Sequence, residues 1–186
     1  MTDSPVAGSL KLVPAADRPD LLADPVRAGL AALPALADRT WVCEIDPAVS
    51  DTAALVAAHD VPPDLSANCV VVAGRREGDE RVAACLVLAT TRADVNGAVK
   101  RLLDVRKASF LPMERAVADT GMEYGAITPV GLPVGWRVLV DARVVAEPWV
   151  LVGAGVRQGK LMIPGELLAG LPGAEVIEGL AVSAAG

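Results

Sequence analysis

Residues 120–133, Thr-Gly-Met-Glu-Tyr-Gly-Ala-Ile-Thr-Pro-Val-Gly-Leu-Pro, hold three glycines and two prolines in fourteen positions. That density of breakers excludes a helix or an inner strand, since proline removes a backbone donor and glycine carries the largest entropic cost of ordering. The stretch is not a solvated linker either. Met122, Tyr124, Ile127, Val130 and Leu132 sit between the breakers, and Glu123 is the one charge. This pattern predicts a rigid apolar loop that presents backbone amides, a common way to build a small-molecule pocket. A buried connection without function is the competing reading.

The flanking sequence must supply a frame for that loop. Val26, Leu30, Leu33 and Leu36 recur at helical spacing behind Asp24-Pro25, a helix start. Before them, Pro5, Pro14 and Pro19 punctuate a stretch without sustained period, read as a loose arm. The first helix is expected to pack on the domain or to meet a partner. Strands are expected over 41–45, 68–73, 81–89, 107–110, 136–140, 149–152, 160–163 and 175–178. Helices are expected over 52–59 behind Ser50-Asp51, over 94–103, from Pro112 to a Gly121 cap, and over 165–171. The charged turn 74–79 joins two of the strands as a hairpin. Strands outnumber crossover helices, so the sheet is expected to be mixed and largely antiparallel. The fold class is α/β, a curled or barrel-like sheet with surrounding helices. The division expected is residues 1–40, an arm and short helix, and 41–186, the domain proper.

Composition narrows the chemistry. The chain is 53% hydrophobic over 186 residues, enough for a full core and against disorder. Apolar runs such as Val82–Ala89 are far short of a membrane span. No basic residue precedes Lys11, so no secretory signal is expected and a cytoplasmic location is. Cys43, Cys69 and Cys85 lie far apart and His59 is the one histidine, which argues against a zinc site and for no cofactor. His59 closes a predicted helix, where an imidazolium complements the dipole, a role favoured over catalysis. The net charge is −6, and the basic residues Arg92, Lys100, Arg101, Arg106 and Lys107 form the one cluster. A broad grip on nucleic acid phosphates is therefore not expected, and neither DNA nor membrane is an expected partner. Gly153-Ala-Gly155-Val-Arg-Gln-Gly159 imitates a dinucleotide fingerprint, but its spacing is wrong and a strand follows where a helix is required. That turn is expected to bring Arg157 and Lys160 to a sheet edge, within reach of an anion.

Five features in order carry a resemblance. They are the small-residue strand Ala67-Asn68-Cys69-Val70-Val71-Val72 with the helix ending near Leu103, the strand 107–110, the Thr120-Gly121 helix end, Gly125-Ala-Ile-Thr-Pro129, and the strand to Asp141 with its glycine turn. Together they resemble the YbaK-like aminoacyl-tRNA deacylases, similar to the editing domain of bacterial prolyl-tRNA synthetases, over about residues 41 to 181. The resemblance implies a deacylase acting on mischarged aminoacyl-tRNA by metal-free ester hydrolysis. It would grip the acceptor end, with a synthetase as a further partner. The Gly125 to Pro129 loop would hold the aminoacyl group and offer amides to the oxyanion, and pocket size would select the amino acid.

The chain departs from this pattern at one position. The resemblance implies a phosphate-anchoring lysine where Asn68 stands, and an aspartate in some members where Lys160 aligns. The expectation is that the cation has moved from 68 to 160, with an ordinary strand lysine as the alternative. Candidate catalytic residues are thus Gly125, Lys160 and Asn68. Candidate substrate-binding residues are Tyr124, Ala126, Ile127, Thr128, Pro129, Asp141, Gly155 and Arg157. Asp141 has a turn or capping role as an equal alternative, and Tyr124 an anchoring one. The second functional class is a binding module that keeps the fold, lacks the chemistry and recognises an aminoacyl or nucleotide-like ligand or a synthetase.

Overall fold

A computed structural model describes residues 5–184. The chain opens with β1 (Val13–Pro14), α1 (Asp24–Ala31), α2 (Pro34–Ala37), β2 (Trp41–Glu44) and α3 (Thr52–His59). The hairpin β3 (Ala67–Arg76) and β4 (Asp79–Leu88) follows, then β5 (Thr91–Ala93), α4 (Lys100–Leu103), β6 (Ala108–Phe110) and α5 (Met113–Thr120). After the breaker-rich loop come β7 (Arg137–Asp141), α6 (Ala142–Ala146), β8 (Val150–Gly153) and β9 (Gly159–Ile163). The last elements are α7 (Gly165–Leu168), β10 (Ala174–Ile177) and β11 (Ala181–Ser183).

Two sheets carry the architecture, and the mixed α/β expectation holds. One has the order β10-β7-β4-β3-β6, with β10 and β4 parallel to β7 and the rest antiparallel. The other, β1-β2-β9-β8, is antiparallel throughout. A parallel bridge between Ser66 and Leu151 joins the start of β3 to β8, so the β layer curls without closing. Glu77 and Gly78 both take positive φ, +54° and +93°, the left-handed pair of a two-residue hairpin turn. The turn is tighter than the predicted 74–79 because Arg75 faces Glu80 and Arg76 faces Asp79 in the ladder. β5 and β11, absent from the sequence reading, pair with each other. Among the described residues no helix is long and apolar enough to cross a membrane.

Of the segment read as a loose arm, residues 1–4 lie outside the described residues, and the remainder is packed, which corrects that reading. Ala7, Ala15, Leu21 and Leu22 are buried, and α1 sends Val26 and Leu30 into the main core beside Met122, Val130 and Val152. The apolar residues lie too irregularly for a period to show, yet most find a neighbour, with Val6 exposed. The helix contacts the breaker-rich loop at backbone distance. A side chain at Gly131, whose φ is +80°, would meet the Pro25 carbonyl oxygen at 2.1 Å, and one at Gly29 would meet the Gly131 nitrogen at 2.8 Å. Glycine at both positions is what permits the approach.

Candidate active site

The site is assembled from places scattered along the chain. β3 begins with Ala67, Asn68 and Cys69, and α3 begins with Thr52 behind its cap Asp51. The loop contributes Tyr124, Gly125 and Ile127, β8 ends in Gly153, and β9 carries Lys160. These, with Arg157, Phe110 and Met113, line a cavity of about 810 Å³. Its size suits a small-molecule ligand.

The loop is held by backbone bonds to the strand beside it. Gly155 N–H donates to the Ala126 carbonyl and Glu123 N–H donates to the Gly155 carbonyl, each at 2.8 Å. Arg157 N–H donates to the Glu123 carboxylate at 2.6 Å, and its guanidinium reaches the Tyr124 and Pro47 carbonyls. Gly153 makes the contact possible, since a Cβ there would lie 2.3 Å from the Ala126 carbonyl oxygen. Ala126 N–H is spent on the Glu123 carbonyl at 3.0 Å. The N–H groups of Gly125 and Ile127 have no partner among the described residues and belong to residues that line the cavity. Gly125 takes φ of +80°, where other side chains would be strained.

Lys160 is the unusual charge. It is 7% exposed, lines the cavity and has no hydrogen bond or ion pair from its ammonium among the described residues. Its strand lies between β2 and β8, so the expected sheet edge is corrected: β9 is an inner strand. In register, Cys43 stands on one side of Lys160 and Gly153 on the other. Burial lowers its pKa, aided by Arg157, while Cys43 and Asp51 act to raise it. Asn68 accepts at Oδ1 from the Thr52 hydroxyl at 2.8 Å, which leaves its amide N–H groups without a partner among the described residues. Asp51 uses Oδ1 to cap Ala53 and Ala54 N–H, and its Oδ2 makes no hydrogen bond among the described residues. Ser50 Oγ is buried there without a partner among the described residues.

The cysteines are poor nucleophiles. Burial raises the Cys69 thiol far above its ordinary range and pushes Cys43 up to about 11. Among the described residues no three His, Cys, Asp or Glu side chains gather as a metal-binding group.

The structure thus brings Gly125, Lys160, Asn68, Tyr124, Ile127 and Arg157 to one cavity. The other predicted residues lie outside it. Ala126 ties the loop to Gly155 through its carbonyl, and Thr128 and Pro129 are buried past the turn, Thr128 with a hydroxyl that has no partner among the described residues. Gly155 faces α1, where a Cβ would meet that of Ala23 at 2.5 Å, so it positions the loop. Asp141 caps α6 through Arg143 N–H, pairs with the Arg143 guanidinium at 2.8 Å and accepts from Ala181 N–H at 3.0 Å. Its capping alternative is the one the geometry realises. Sequence reasoning missed Asp51, Phe110, Met113 and Gly153 as site residues. A registered β8–β9 hairpin would have revealed Gly153 opposite Lys160, but nothing local indicates where a helix cap points.

The model of the aminoacyl-tRNA editing domain family matches residues 46–171. Solved structures share the fold at low identity. One described as a proposed trans-editing enzyme for prolyl-tRNA synthetase is 21% identical, with a TM-score of 0.69 over 84% of this chain and 97% of that one. A hypothetical protein is 19% identical with a TM-score of 0.73, over 86% of this chain and 100% of that one. A proposed signal transduction protein from Marinobacter aquaeolei is 16% identical with a TM-score of 0.53, over 86% of this chain and 30% of that one. No curated protein matches the sequence.

Proposed function

This chain belongs to the aminoacyl-tRNA editing domain family, and on that premise we propose that it is a cytoplasmic hydrolase that clears a mischarged amino acid from tRNA without a metal. The supporting observation is the convergence of the Gly125 loop, Asn68 and the unpaired Lys160 on one cavity. Ester hydrolysis needs a directed water and donors where negative charge develops. We assign the oxyanion to the free N–H groups of Gly125 and Ile127. Asp51 Oδ2 orients the water and takes its proton as the water oxygen bonds to the acyl carbon, and that proton passes to the ribose oxygen as the acyl–oxygen bond breaks, releasing amino acid and tRNA. Lys160 supplies the cation beside the phosphodiester of the terminal nucleoside, the role implied for a lysine at position 68, and Asn68 donates from its amide. A phosphate is a ligand that a buried ammonium meets well, because pairing relieves its desolvation. The grip covers the acceptor end, and a synthetase is the candidate for holding the remainder.

The test is release of amino acid from a panel of labelled aminoacyl-tRNAs, correct and mischarged, with and without chelator. Chelator-resistant release of a small set of amino acids is expected. A second reading is a binding module without the chemistry, favoured by Asn68 standing where the resemblance implies lysine. No release by folded, concentrated protein would establish that reading in place of the first.

A further inference from the structure

The chain has one phenylalanine and one tyrosine. Aromatic rings bring large apolar areas to a core, and a chain with so few would be expected to bury them. Neither is in the core here. Phe110 is 61% exposed and Tyr124 is 60% exposed, and both line the opening of the Lys160 cavity. Met113, 51% exposed, is a third exposed large apolar side chain at the same opening. The three come from separate elements: the end of β6, the first residue of α5, and the turn before Gly125. Their backbones are fixed. Phe110 is laddered to Val72, and the Tyr124 carbonyl accepts from Arg157.

Exposed apolar side chains gathered at one place mark a binding surface, unlike scattered ones. The same cavity also holds, in an otherwise largely apolar lining, an ammonium at Lys160 and an amide at Asn68 that have no partner among the described residues. A ligand that fits both parts is flat and π-faced at one end and anionic at the other. A nucleotide joins the two in one small molecule, its base at one end and its phosphate at the other. We propose that Phe110 and Tyr124, with Met113 beside them, form a stacking platform for the terminal nucleobase of the substrate. This rests on the aminoacyl-tRNA reading for which ester lies deeper in the cavity. Stacking on aromatic faces is tolerant of base identity and adds affinity without a basic surface, as a chain of net charge −6 requires.

The experiment measures binding of adenosine 5′-monophosphate and of ribose 5-phosphate to the full chain by calorimetry. Both probes carry the phosphate, and one lacks the base. The monophosphate is expected to bind at least roughly tenfold more tightly. Phe110→Ala and Tyr124→Ala are each expected to lose most of that advantage while ribose 5-phosphate binding stays unchanged. Phe110→Trp should keep the advantage, whereas Phe110→Leu, apolar without a π face, should not. Equal affinity of the two probes, no binding of either, or alanine variants that retain the preference would overturn the platform. In that case the rim serves another partner, such as a protein. The deacylation panel separates this from failure of the functional reading. A base preference that depends on Phe110 and Tyr124 without deacylation leaves the platform and removes the hydrolase. Deacylation without a base preference does the reverse.

Discussion

Asp141 and Lys160 are both charged and both buried, 1% and 7% exposed, yet their surroundings are opposite. Asp141 has its carboxylate filled by the Arg143 guanidinium, Arg143 N–H and Ala181 N–H. Lys160 has no such partner among the described residues and borders a cavity. A buried charge with a complete set of partners ties elements together, here β7, α6 and β11. A buried charge left incomplete destabilises the fold and is kept where a ligand completes it. The sequence presents both in the same way, as a polar residue in an apolar strand.

The largest expected effect breaks the pair on the side of activity. Lys160→Met keeps the length of the side chain and removes the charge. Deacylation kcat/KM should fall about a hundredfold, an order of magnitude typical of losing a charge-assisted contact to a reacting ligand. The melting temperature should hold or rise, because no partner is stranded. A folded Lys160→Met protein with full activity would erase the distinction drawn here.

Asp141→Ala should behave in the opposite sense. Loss of a cap and of bonds to a buried carboxylate should cost about 3 kcal/mol, read by urea denaturation, with activity per folded molecule retained. A smaller effect is expected from Gly153→Ala. The added methyl group meets a backbone oxygen that cannot step aside, so the loop must shift. About 1 to 3 kcal/mol of stability should go, and deacylation should drop with it while Gly78→Ala, at an open turn position, leaves activity alone.

The pH dependence is the smallest effect and sharpens the contrast. The Asp141 carboxyl lies below its ordinary 3.8, held there against the cost of burial by Arg143 and by Arg143 and Ala181 N–H. Its stabilisation is present above the unfolded value and is lost as pH falls through the folded one, so Asp141→Asn should flatten the acid limb of a stability profile. Lys160 is depressed from 10.5 by burial. Between its folded value and 10.5 the unfolded chain binds the extra proton, so the wild type should gain stability as pH rises through that window. Lys160→Met should lose that gain, measured as the difference in melting temperature between neutral and alkaline buffer.

Much of this frame is readable from residue order. The apolar runs around Val70 and Leu139 announce strands, and Gly121 ends α5 with a left-handed φ of +66° as its place in the sequence implies. The short pair β5 and β11 is not readable, because Thr91–Ala93 is a strand only by virtue of Ala181–Ser183 across from it. The same holds for α6, whose valines at 144 and 145 favour a strand until the Asp141 cap turns the chain. In the site, the loop announces itself through its breakers, and Asn68 and Lys160 through the departure from the family pattern that the resemblance implies. Asp51, Phe110 and Met113 look like a cap, a strand residue and a helix start, and their meeting at one opening is a tertiary fact.

The contact between Gly29 and Gly131 bears on biosynthesis. The helix that supports the loop leaves the ribosome early, and the loop it supports leaves late. Until Gly131 has been made, Val26 and Leu30 have no loop to pack against. Until Gly155 follows, the amides at Gly125 and Ile127 are not held in position. It follows that a nascent chain holds the loop's support long before it holds a cavity. Competence to bind therefore waits on Lys160, made well after the loop itself.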